Sequence, residues 1–117
     1  MSLESNVYTV LKTVCDNVYP DFAPENTARP FITWNQIGGT SIKPLGKSVP
    51  NMREAVIQVS VWAETRLGAS QLILAADSAL RTSTLFAAQA SAEMVSVADQ
   101  GTGLRGAIQD FVIRDLR

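Results

Sequence analysis

The chain of 117 residues carries ten basic and eleven acidic side chains for a formal net charge of −1, too balanced for a whole-surface nucleic-acid footprint or a polybasic membrane anchor. With 46% hydrophobic and 18% charged residues it can bury one ordinary core, which excludes a disordered, collagenous or coiled-coil chain and predicts a single domain over 1–117. One cysteine, Cys15, and no histidine exclude an internal disulfide, a Ser-His-Asp or Cys-His nucleophile and a Cys/His zinc site, so any catalyst would have to use carboxylates, lysine or tyrosine.

From Ser2 to about Asn17, Leu3, Val7, Val10, Leu11, Val14, Cys15 and Val18 recur at three- and four-residue steps, predicting an amphipathic helix that Tyr19-Pro20 ends. Asp21 to Arg29 reads as a loop between prolines. Phe31 to Ile37, rich in aromatic and β-branched residues and closed by Gly38-Gly39, reads as a strand. Thr40 to Arg53, with Pro44, Gly46 and Pro50, reads as a long connection or an extended hairpin arm. In Glu54 to Glu64 the alternation sets Ile57, Val59 and Val61 on one face, predicting a strand with that face in the core. Apolar residues at helical spacing predict a helix from about 66 to 83 with Thr65 as its cap.

Ser83 to Ala92 is alanine-rich and left unassigned, a helix extension or a link anchored by Phe86. Glu93 to Asp99 and Gly106 to Asp115 predict a C-terminal hairpin turning at Gln100-Gly101-Thr102-Gly103. The expected fold is α+β, in the order α-β-β-α-β-β, with helices packed on a mostly antiparallel sheet. The longest apolar runs fall far short of the roughly 20 residues of a bilayer helix, and the N-terminus lacks a basic segment followed by an apolar one, so a soluble chain with no membrane partner is expected.

Gly101, Gly103 and Gly106 spell a dinucleotide-binding fingerprint, but they join two strands instead of opening a helix, so a hairpin turn is the reading. Between Asn26 and Arg53 the chain carries Arg29, Lys43, Lys47 and Arg53 and no acid, a local +4 suited to an acidic partner surface or to plain solvation. No aromatic is interleaved with Lys43 and Lys47, which argues against base stacking. The carboxylates Asp21, Glu25, Glu54, Glu64, Asp99 and Asp110 show no spacing that singles out a catalytic or metal-binding pair, and Cys15 on an apolar helix face reads as a small buried hydrophobe. Trp34, on the face of Ile32 and Gln36, and Trp62, on the face of Val56 and Ser60, mark either a subunit contact or a face covered by a helix.

Several pieces taken in order resemble the phage tail completion family of tail-terminator and tail-to-head joining proteins: an N-terminal helix running to Val18-Tyr19-Pro20, Ala23-Pro24-Glu25-Asn26-Thr27-Ala28-Arg29-Pro30-Phe31 leading into Ile32-Thr33-Trp34, then Ile37-Gly38-Gly39-Thr40, Val59-Ser60-Val61-Trp62-Ala63 before a helix, and a closing Asp110-Phe111-Val112-Ile113. The resemblance covers nearly the whole chain. It implies a structural, cofactor-free virion subunit, made in the bacterial cytoplasm, that forms a ring with copies of itself, a hexamer, at the head-proximal end of the tail. There it would meet the tail-tube protein and the head-tail connector, stop tube growth and let DNA pass without binding it specifically. The family offers no catalytic motif to carry over, and Thr40 to Arg53 falls where such proteins extend an arm. The interface candidates are Arg29, Trp34, Lys43, Lys47, Arg53 and Trp62. Two alternatives stay open: a neck or connector component, and a small-molecule-binding α+β domain.

Overall fold

A computed structural model describes residues 2–39 and 52–116 of the chain. Helix α1 spans Leu3–Leu11, with the Ser2 side chain accepting from the Ser5 N–H at 3.0 Å as its N-cap. Leu3, Val7, Val10 and Leu11 form its buried stripe. The helix is shorter than the spacing predicts. After Leu11 the chain turns, with the Thr13 hydroxyl donating to the Val10 carbonyl at 2.6 Å, and Val18–Pro20 is a strand, β1, where a helix end was expected. Cys15 and Val18 are buried all the same; the apolar period continued because turn and strand face the same core as the helix.

Strand β2 (Phe31–Gly38) pairs parallel with β1 and antiparallel with β3 (Met52–Ala63). A register shift between Gln36 and Gly38 makes a bulge at Ile37. Helix α2 (Arg66–Thr82) follows, capped by the Thr65 hydroxyl accepting from the Gly68 N–H at 3.0 Å. Then come β4 (Ala87–Ala90), β5 (Val95–Asp99) and β6 (Leu104–Leu116). The sheet order is β1-β2-β3-β6-β4, and β5 also pairs with β6. Since β3 runs along the whole of one side of β6, β4 against Ala90↔Phe111 to Ala87↔Arg114 and β5 against Asp99↔Leu104 to Val95↔Ile108 share the other side, end to end.

The fold is the expected α+β type, with only β1 among the described strands parallel to its neighbour, in the fuller order α-β-β-β-α-β-β-β. The unassigned alanine-rich stretch supplies β4: small residues carry little strand signal of their own, and it is pairing with β6 that recruits them. Arg53, expected in the connection, lies in β3. The hairpin strands begin at Val95 and Leu104 in place of Glu93 and Gly106. Lys43, Lys47 and the rest of the arm outside β3 lie beyond the described residues.

Both helices pack on one face of the sheet. Ala55, Ile57, Val59 and Val61 of β3 and Ala107, Phe111 and Ile113 of β6 meet Ala69, Ile73, Ala76 and Leu80 of α2 and the α1 stripe in one core. At about 25 cal/mol per Å² of apolar surface removed from water, that shared layer is the main stabilising term. Among the described residues, the other face of the sheet carries no helix, and the candidate site lies there. Among the described residues, no helix is long and apolar enough to cross a membrane.

Candidate functional site

Opposite residues in the ladder share a face, so the open side of the sheet can be read row by row: Phe31 beside Trp62 beside Gly106, Thr33 beside Ser60 beside Ile108, Asn35 beside Gln58 beside Asp110, and Val56 beside Val112. Trp62, Phe31, Ile108, Val56 and Val112 are all half-buried. Gly106 makes the first row possible. A Cβ there would lie 2.8 Å from Cε3 and 2.9 Å from Cζ3 of Trp62, so the indole rests over β6 because β6 has no side chain at that point.

Two loops wall this end of the sheet into a groove of about 730 Å³ floored by Phe31, Trp62, Ser60 and Gln58. One wall is the 21–29 loop. Asp21 (φ 64°) and Asn26 (φ 60°) take left-handed conformations there, which Asp and Asn tolerate better than most side chains. The Asp21 N–H donates to the Trp34 carbonyl at 2.8 Å, and Asn17 Nδ2 donates to the Ala28 and Pro30 carbonyls at 3.1 and 3.3 Å, pinning both ends of the loop. The other wall is the β5–β6 turn, where the Asp99 carboxylate accepts from the Gly101 N–H and the Thr102 hydroxyl, both at 3.0 Å. The fingerprint-like glycines are thus hairpin residues, with Gly103 at φ 75° and Gly106 inside β6.

The groove is negatively charged. Among the described residues, Asp21, Glu25 and Asp99 line it with the cation Arg29, and Arg29 lies 3.9 Å from Glu64, itself exposed. Along the sequence these acids show no spacing that sets any two of them together. The fold brings three of them to one rim, from a loop and a turn over seventy residues apart, which no spacing along the chain could signal. Only the turn-forming character of Asp21 and Asn26 hinted that their loop was shaped.

The other sequence candidates separate. Trp34 is 5% exposed and belongs to the core, its indole Nε1 buried with no acceptor among the described residues. A helix layer covers its face, so in this fold its ring does not form a surface. Arg53 pairs with the buried Asp115 through Nε–Oδ1 at 2.8 Å and Nη2–Oδ2 at 2.7 Å. That bidentate hydrogen bond holds its guanidinium pKa above the ordinary value, against the opposing effect of burial. Of the local +4, then, Arg29 and Arg53 are engaged within the chain.

Glu54 accepts from Arg114 Nε at 2.7 Å and Asp110 from Gln58 Nε2 at 3.2 Å. Cys15 is buried, its Sγ 3.5 Å from the Asn17 and Pro30 carbonyls. No group of three or more His, Cys, Asp or Glu able to hold a metal is found among the described residues. What the site offers is shape, apolar surface and negative charge, the means of holding a partner.

No curated protein matches the chain. One solved structure is 10% identical over 99% of this chain and 97% of its own, with a TM-score of 0.48, a likeness too loose to carry an argument. The sequence profile of the family described as Tail completion protein gp17 matches residues 4–114, nearly all of the α+β domain. The chain belongs to the phage tail completion family, as the ordered pieces of its sequence suggest, and is a structural component of the virion tail.

Proposed function

We propose that this protein assembles with copies of itself into a closed six-membered ring at the head-proximal end of the phage tail, where it ends tube growth and presents a surface to the head. The supporting observation is the open sheet face. Its half-buried Trp62, Ile108 and Val112, the 61% exposed Val95 and the 82% exposed Phe22 form apolar surface of the kind that subunit contacts cover. A head-to-tail contact repeated about an axis closes into a ring and leaves a channel. The tail-tube protein lies on one side of the ring, the head-tail connector on the other, and DNA passes through without specific binding. The action is geometric and needs no cofactor or catalytic group.

Light scattering over a concentration series, followed by negative-stain imaging, tests the reading. Six copies of the 12.6 kDa chain make a particle of about 76 kDa. A ring near that mass, alone or on assembled tail tubes, is the expected result. A chain that stays monomeric at every concentration and also fails to bind tail tubes would overturn it.

A further inference from the structure

We infer that the acidic groove on the open sheet face receives the basic segment 40–51 of a neighbouring copy. The inference rests on the self-assembly proposed above and names the contact that carries it.

Charge and chain length both point this way. The groove rim carries Asp21, Glu25 and Asp99 against Arg29, over an aromatic floor of Phe31 and Trp62. The segment 40–51 contains Lys43 and Lys47, no acid, and the apolar Ile42, Leu45 and Val49. An extended stretch of this composition matches a groove that offers carboxylates to ammonium groups and aromatic faces to both cations and alkyl chains. Prolines at 44 and 50 remove two N–H donors and favour the extended form.

The segment cannot reach the Phe31–Trp62 end of its own groove. Phe31 and Trp62 face each other at one end of the β2–β3 ladder, while Gly38 pairs with Val56 at the other and β3 runs on to Met52. At about 3.4 Å per residue, Gly39 lies some 27 Å along β2 from Phe31, and Met52 some 34 Å along β3 from Trp62. A path from Gly39 to that end and back to Met52 therefore needs about 61 Å, and thirteen peptide links span at most about 47 Å. A second copy set head to tail brings the segment to the groove without that limit, and this is the arrangement a ring repeats.

Carbodiimide coupling of an equimolar mixture of ¹⁴N- and ¹⁵N-labelled full-length chains, read by mass spectrometry, tests the contact. Lys43 or Lys47 is expected joined to Asp21, Glu25 or Asp99 in mixed-isotope pairs. If the ring forms but these pairs are absent or purely same-isotope, the inference falls and the ring reading stands.

Charge variants give a second readout. Lys43→Glu with Lys47→Glu, and separately Asp21→Asn with Glu25→Lys, are expected to weaken assembly tenfold or more; Asn is used at position 21 because of its left-handed backbone. Combining the lysine and groove variants is expected to restore assembly in part. Unchanged assembly in variants that fold, as judged by circular dichroism, overturns the groove contact.

Should the chain neither form rings nor bind tubes, a synthetic peptide of residues 40–51 titrated onto it decides separately. A saturable change in tryptophan emission, lost on Asp21→Asn with Glu25→Lys, supports the groove as receptor. No change overturns it.

Discussion

Gly106 and Trp62 show how one absent side chain decides what a surface looks like. The indole lies over β6 because the opposite residue has no Cβ, and alanine there would also meet the Val61 carbonyl oxygen at 2.9 Å, a backbone atom that cannot swing aside. Gly106→Ala is therefore expected to destabilise the fold by about 1–3 kcal/mol, the usual cost of overpacking. Urea unfolding measures that cost, and a shift in tryptophan emission reports the displaced ring; a midpoint equal to that of the unaltered chain would refute it. Arg53 makes a second case. Asp115→Ala would leave its guanidinium without its bidentate partner, at an expected cost of about 1–3 kcal/mol in the same measurement. Because the Arg53 pKa is raised, the stabilisation from its charged form is complete below the ordinary arginine range and is lost only as pH rises through the higher folded value. Stability measured from neutral to mildly alkaline pH should show no loss from this guanidinium.

Elements differ in how plainly the sequence announces them. Helix α2 was legible almost to the residue, because its apolar spacing coincides with the Thr65 cap. Thr65→Ala should cost about 1 kcal/mol by thermal or urea unfolding while Thr65→Ser costs little, since serine keeps the oxygen that accepts from the Gly68 N–H. The third strand was equally plain, for Ile57, Val59 and Val61 alternate with partly exposed residues. Helix α1 was overextended, because Cys15 and Val18 keep its spacing after the helix has ended. Strands β1 and β4 were not legible. The first is three residues closing on a proline, the second four residues of which three are alanine, and each exists only through the longer strand beside it.

On the scale of the whole molecule, the two faces of the sheet divide the work. One holds the helices and the core; the other is apolar at its edges, polar along the Asn35–Gln58–Asp110 row and acidic at the groove rim. Contacts of lysine with exposed carboxylates are screened by salt, whereas the core is not. Raising sodium chloride to molar concentration should therefore shrink the assembled mass in light scattering while circular dichroism stays constant. An assembled mass that does not respond to salt would argue against a charged joint between copies. Arg53 is a poor probe of that joint, since replacing it breaks a pair inside the chain; Lys43 and Lys47 test it more cleanly.

By itself the sequence determined the α+β class, two helices, the main strands and the absence of imidazole and multi-thiol chemistry, because periodicity and composition act locally or over the chain as a sum. Its ordered pieces also pointed to the tail completion family. Only the tertiary structure decided that Trp34 is core and Trp62 is surface, that Arg53 is bound to Asp115, and that Asp21, Glu25 and Asp99 share one rim. Those facts depend on which strand lies beside which and on which face the helices cover. Pairing between residues as far apart as Trp62 and Gly106 leaves no mark in the local order of the chain.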